Sequence, residues 1–416
     1  MDNNFNTQEQ YTTGAEKTAP WFLKRDVSRP EKGYNPYREP STVLADSLDE
    51  CKHLMLGPAK LDYEQENEHK FRLAYECAIL KGGVFKRLRK DASFVALCLF
   101  TSLMMIFFLS TAIGELKPAL SERAYGILSY VFLVLQYLLV FPPILYLATL
   151  GRKNKVYTYF KKPAVSAFYV FRWTVIAFGS VYVVSILSNL LFALLKSAGI
   201  YVADLSAPLP SDATELILYF IGVVILAPIF EELLFRGVLL TPLMKYGAWF
   251  SATVTGFLFG AYHQNHQQMF FAMAFGIILA FIDIKAGSII PSLIAHVAVN
   301  LYSFISTFAL SFTNYEQTLA DPSVSLDGPA LAIYATTLLD LMIYVIMIVA
   351  IIGFVIEIFH DRDQFKISEN PCGLSAGEKN SAFFASPAMI GVMFVLALFI
   401  ALNSFIDLGA LTQSVQ

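Results

Sequence analysis

The chain has 416 residues, of which 56% are hydrophobic and only 15% charged, with a mean hydropathy of +0.56. Soluble domains carry about 25% charged residues, so this balance excludes an ordinary soluble protein and points to the membrane. The net charge of -3, with basic residues in short clusters rather than one stripe, argues against a nucleic-acid partner.

Residues 1–65 are rich in Asn, Gln, Glu, Lys, Pro and Tyr. No apolar core of about 7–15 residues follows a basic start, so they read as a polar, poorly ordered cytoplasmic arm rather than a signal peptide. Residues 66–90, "ENEHKFRLAYECAILKGGVFKRLRK", are expected to form a short helix, a break at Gly82–Gly83 and a basic juxtamembrane anchor. A spanning helix needs about 20 mostly apolar residues. Candidates fall at 93–113, 126–149, 173–195, 214–240, 249–264, 269–284, 289–310, 329–358 and 386–406. The pair 249–264 and 269–284 is short and reads equally as a broken or re-entrant element. The expectation is an all-α polytopic membrane protein with eight or nine transmembrane helices. Accessory helices occupy 91–200, a motif-bearing core of about four helices occupies 213–310, and C-terminal spans occupy 329–406. The four cysteines, Cys51, Cys77, Cys98 and Cys372, are too scattered for a disulfide framework or a thiolate zinc site. Cys98 reads as a small apolar residue against lipid or a neighbouring helix.

Loop charge sets the expected orientation. "KRLRK" precedes the first span, and "GRKNKVYTYFKKP" joins the second and third with five Lys or Arg residues. Both belong in the cytoplasm, as does the N-terminus. The loop "SAGIYVADLSAPLPSDATE" carries no Lys or Arg and three acids, which suits the opposite side. A fourth span of 214–240, running from outside to inside and ending near Lys245, then puts Glu231 about nine residues, or about 13 Å, from its cytoplasmic end.

The stretch "ILAPIFEELLFRGVLL" breaks the apolar pattern of that span. Each ionised side chain there costs about 2.5–3.5 kcal/mol on insertion scales, so Glu231, Glu232 and Arg236 need partners or a purpose. Glu232 and Arg236 are four apart and share a helix face. Glu231 is turned by about 100° and is left without that partner. Three of the six histidines lie between residues 263 and 296. Phe259 and His263 are four apart, as are His296 and Asn300. A desolvated carboxylate is a stronger base toward water than one in bulk. His263 could orient that water or ligate a metal as neutral imidazole. His296 and Asn300 could donate hydrogen bonds to the oxyanion of a tetrahedral intermediate.

These residues resemble the CAAX-protease and bacteriocin-processing family (CPBP, or Abi) of intramembrane endopeptidases. Its pattern is EExxxR, FxxxH and HxxxN on successive membrane helices. The chain has Glu231-Glu232-xxx-Arg236, Phe259-xxx-His263 and His296-xxx-Asn300 in that order, within about residues 215–305. The resemblance implies that Glu231 and His263 activate the attacking water while His296 and Asn300 hold the oxyanion. Glu232, Arg236 and Phe259 would support them. It also leaves two routes open: a metalloprotease in which Glu231, His263 and His296 hold zinc, or glutamate chemistry without a metal. Implied substrates are prenylated CAAX proteins or bacterial leader and bacteriocin-related peptides, the latter in the plasma membrane of a bacterium.

The rival readings are a non-catalytic scaffold or self-immunity protein of the same fold and, behind it, an ion-coupled transporter using the buried acids. The expected partners are a protein or peptide substrate and the bilayer. His266 reads as a residue of a polar turn. Asp340 stands as a lone acid within the 329–358 span.

Overall fold

The computed structural model describes residues 63–150, 154–203, 209–311, 328–360 and 373–405, so the arm expected at 1–65 lies almost wholly outside the described residues. Every regular element among them is helical, and eight helices are long and apolar enough to cross a bilayer. The long helices are α1 (Tyr63–Gly114), α2 (Glu122–Thr149), α3 (Ala167–Ser197), α4 (Ala213–Tyr246), α5 (Ala248–Tyr262), α6 (His266–Ala286), α7 (Ile290–Ser311) and α8 (Gly328–His360). A short α9 (Ala376–Phe384) and the spanning α10 (Pro387–Ser404) follow.

Two expected boundaries move. The break at Gly82–Gly83 does not occur: α1 runs through both glycines without interruption. A helical glycine costs about 1 kcal/mol, less than the gain from the turn that follows, where Val84 and Leu88 are fully buried. The second shift is in α4, which continues past Leu240 to Tyr246. Its last turn is pinned to α1: the Tyr246 hydroxyl donates to Asp91 Oδ2 at 2.7 Å, and Lys245 Nζ lies 2.7 Å from the same oxygen. At the other end of α4, Asp212 caps the helix by accepting from the Glu215 and Thr214 backbone N–H groups at 3.0 and 2.8 Å. Those N–H groups, with the Arg123 guanidinium alongside, hold the Asp212 carboxyl below the usual carboxylate range.

Gly247 turns the chain from α4 into α5 with φ +123°, a conformation that disfavours any side chain. At 15 residues, α5 is about 22 Å long, short of a bilayer's hydrocarbon core of about 30 Å. It is the one expected span, 249–264, that does not qualify as a crossing helix. It packs directly against α6, where the Gly276 carbon atoms approach Gly256 Cα and Phe259 so closely that an added Cβ on Gly276 would sit 3.0 Å from the former. Small residues four apart (Gly256, Gly260) permit this backbone-to-backbone packing. Trp173 of α3 closes the far side of α6, its ring 4.8 Å from Phe281. Cys98 is buried among the helices rather than facing lipid. By contrast α8 presents Leu338, Leu341, Met342, Val345, Ile348 and Ile352 outward, as a lipid-facing helix does. Asp340 is exposed on that helix and accepts a 3.4 Å hydrogen bond from the Tyr302 hydroxyl of α7.

Candidate active site

Two stretches of α4, Phe220–Leu226 and Leu233–Leu240, are wound as π-helix, a rare geometry often found at functional positions. Between them sit Glu231 and Glu232, both buried. The Glu232–Arg236 pair expected from their spacing forms: Arg236 Nε lies 3.2 Å from Glu232 Oε2, and both side chains are 1% exposed or less. The guanidinium also lies over the Phe259 ring, 4.4 Å from its centroid, and Nη2 donates to the Gly276 carbonyl at 3.4 Å. A desolvated cation over an aromatic face is worth about 2 kcal/mol, so Phe259 helps hold Arg236 in place of water.

Phe259 also organises the histidines. Its carbonyl contacts His263 Nδ1 at 2.8 Å, and its ring meets His263 and His296 edge-on at 4.9 and 5.8 Å. A carbonyl only accepts, so His263 Nδ1 carries the proton and Nε2 of the neutral ring has the lone pair. His296 is fixed by the same logic: its Nδ1–H donates to Glu232 Oε1 at 2.7 Å. That leaves His296 Nε2 facing Glu231 Oε2 at 3.8 Å. The expected partnership therefore has a further link, since Glu232 both pairs Arg236 and orients His296. Glu231 also acts electrostatically on His263, as do His296 and Arg236.

The α4–α5 hairpin explains how distant residues share a level. Glu231 stands fifteen residues before Tyr246, and His263 sixteen after Gly247. Both are about 22–24 Å along their helices from one corner. The nine residues expected between Glu231 and the helix end are thus fifteen, because α4 does not stop at Leu240.

Asn300 is placed by a gap in backbone bonding. The Ala227 N–H is taken by the Gly222 carbonyl, five residues earlier. The next donor in that pattern would be residue 228, a proline with no N–H. The Val223 carbonyl has no N–H to meet at that position, and Asn300 Nδ2 donates to it at 2.8 Å. The structure thus ties one Asn300 N–H to α4.

His266 belongs elsewhere. It is buried, its backbone N–H donates to Ser404 Oγ at 2.9 Å, and its ring packs 4.5 Å from Phe192. Asn403 Nδ2 donates to the Gln264 carbonyl at 3.1 Å, so the end of α10 straps the turn that follows His263. Among the described residues no three His, Cys, Asp or Glu side chains are grouped to hold a metal ion. With Glu231 Oε1 hydrogen-bonded to a tyrosine, His296 Nδ1 to Glu232 and His263 Nδ1 to Phe259, the atoms left for a water or a metal are Glu231 Oε2 and the two Nε2 atoms.

That tyrosine, Tyr137 of α2, escaped the sequence reading: its hydroxyl donates to Glu231 Oε1 at 2.9 Å. So did Asp283 of α6, which is fully buried and accepts from the Ser292 N–H at 3.1 Å, fixing the first turn of α7 one turn before His296. An acid in the apolar helix "FIDIKA" was a signal of its own. A tyrosine in "FLVLQYLLV" carries none.

A bundle of spanning helices with a sealed cluster of two carboxylates, an imidazole and a guanidinium defines an integral membrane protein with an enzyme-like interior. Residues 213–302 match the family model described as type II CAAX prenyl endopeptidase Rce1-like. No curated protein and no solved structure matches the chain.

Proposed function

We propose that the protein is an intramembrane endopeptidase that hydrolyses a peptide bond of a membrane-associated substrate through a water activated by Glu231. The observation that carries this reading is the 3.8 Å separation of Glu231 Oε2 and His296 Nε2. It is too long for a direct hydrogen bond and suits a shared water about 2.8 Å from each atom. Glu231 takes the proton as the water attacks the scissile carbonyl, then returns it to the leaving amine. His296 points Nε2 at the oxyanion while Glu232 holds the ring through Nδ1; donation from Nε2 requires the doubly protonated imidazole. Asn300 has a second N–H beyond the one held by Val223, and it serves the same oxyanion. His263, its Nδ1 fixed by Phe259, orients the water with Nε2. The description of the matched family favours a prenylated CAAX-type substrate.

The test is cleavage of a prenylated CAAX peptide by the purified full-length protein in detergent or liposomes. Glu231→Ala is expected to lose at least about 100-fold in rate, the usual weight of a general base. Wild-type-like cleavage by that variant would remove Glu231 as the base, and no cleavage by the wild-type protein would return it to the scaffold reading. No step here is routed through a metal; loss of activity with chelator and recovery with zinc would assign Glu231, His263 and His296 a ligand role instead.

A further inference from the structure

The geometry points to Tyr137, on a helix outside the matched region, as the residue that decides which oxygen of Glu231 acts as the base; this rests on the function proposed above. A glutamate carboxylate turns broadly about its last torsion, and its two oxygens are otherwise equivalent. Here they are made different. Oε1 accepts the Tyr137 hydroxyl at 2.9 Å, while Oε2 faces His296 Nε2. The tyrosine ring is itself held. It stacks at 27° on Phe141, with centroids 5.4 Å apart, and lies at 12° to Phe230, the residue preceding the glutamate. Phe141 is fully buried and meets Phe230 at 5.8 Å, so the three rings form one packed unit. A hydroxyl on so constrained a ring has one direction in which to donate.

Around Glu231 the charged and polar neighbours come from three other faces. His296 lies on α7, Tyr262 and His263 at the C-terminal end of α5, and Glu232 and Arg236 on its own helix. Tyr137 is the neighbour from α2 and donates to the oxygen turned away from His296. Tying Oε1 fixes the carboxylate plane and leaves Oε2 to take the proton. Tyr137 acts through Glu231 and is a positioning residue.

The experiment is Tyr137→Phe in the full-length protein, assayed on the same prenylated CAAX peptide. The variant keeps the ring and its stacking and removes only the hydroxyl. The expected result is a kcat lowered by about 10-fold with KM nearly unchanged, because the lost contact orients the base and does not bind substrate. A wild-type kcat in Tyr137→Phe, with Glu231→Ala inactive, overturns the role of Tyr137 and leaves the endopeptidase standing. Cleavage by both variants at the wild-type rate overturns Glu231 as the base, and with it the role of Tyr137. A second readout needs no substrate. The drop in Tm caused by Tyr137→Phe is expected to shrink by at least about half when measured in the Glu231→Ala background. Equal drops in both backgrounds would show that the hydroxyl and the carboxylate are not coupled, and would sink the proposal even if no peptide were cleaved.

Discussion

Arg236 is the residue whose loss should hurt stability most directly. It neutralises Glu232, lies over Phe259 and reaches the Gly276 carbonyl from a position with almost no solvent access. Removing one partner of a buried ion pair strands the other charge, at a cost of about 3–5 kcal/mol. Arg236→Ala is therefore expected to unfold at clearly lower temperature, and the double variant Arg236→Ala with Glu232→Gln to recover part of the loss in a thermal melt. The residue scale is also where the sequence spoke most clearly. Three charged residues in an apolar helix, with histidines four residues from a phenylalanine and an asparagine, mark themselves by their cost in lipid. Their partners were not all legible. Spacing along one helix pairs Glu232 with Arg236 and says nothing about an imidazole arriving from another. Tyr137 was silent for a related reason: tyrosine is common in membrane helices, and only three-dimensional proximity makes one hydroxyl special.

Among elements, the α5–α6 crossing sets how tightly the cluster is held. A Cβ on Gly256 would come within 2.7 Å of the Ile277 backbone nitrogen and would also press on Ile277 Cγ1. Backbone cannot swing aside as a side-chain tip can, so Gly256→Ala must push the helices apart at the level of Phe259. Overpacking of this kind costs about 1–3 kcal/mol. The expected outcome is a lowered melting temperature together with reduced cleavage, since Phe259 carries both Arg236 and His263. Helix positions were readable from runs of apolar residues, whereas helix ends were less so. The glycines at 82 and 83 look like a break until the packing of Val84 and Leu88 is known, and α4 reads as stopping at Leu240 until Tyr246 is seen to reach Asp91. Both misplacements come from tertiary contacts that outweigh local propensity.

At the scale of the whole molecule, the matched region of residues 213–302 does not hold its own site. Tyr137 comes from α2, α4 ends on Asp91 of α1, and the turn after His263 is strapped by Asn403 and Ser404 of α10. A fragment of residues 209–311, placed in detergent and given the same peptide, is accordingly expected to cleave at least about 10-fold more slowly than the full chain, even where it remains helical by circular dichroism. Equal rates would show that the flanking helices are dispensable. The flanking spans were visible in the sequence as hydrophobic stretches; their share in the chemistry was not, because nothing in their composition differs from ordinary lipid-facing helices.

The proline at 228 has one more effect. An amide hydrogen missing from the main chain leaves the Val223 oxygen for a side chain 77 residues further on to claim, and Asn300 claims it. Any other amino acid at 228 would bring a rival for that oxygen. The aim of a side chain on one helix is thus written as an omission in another, and a substitution with no charge, no bulk and no contact with substrate would loosen it.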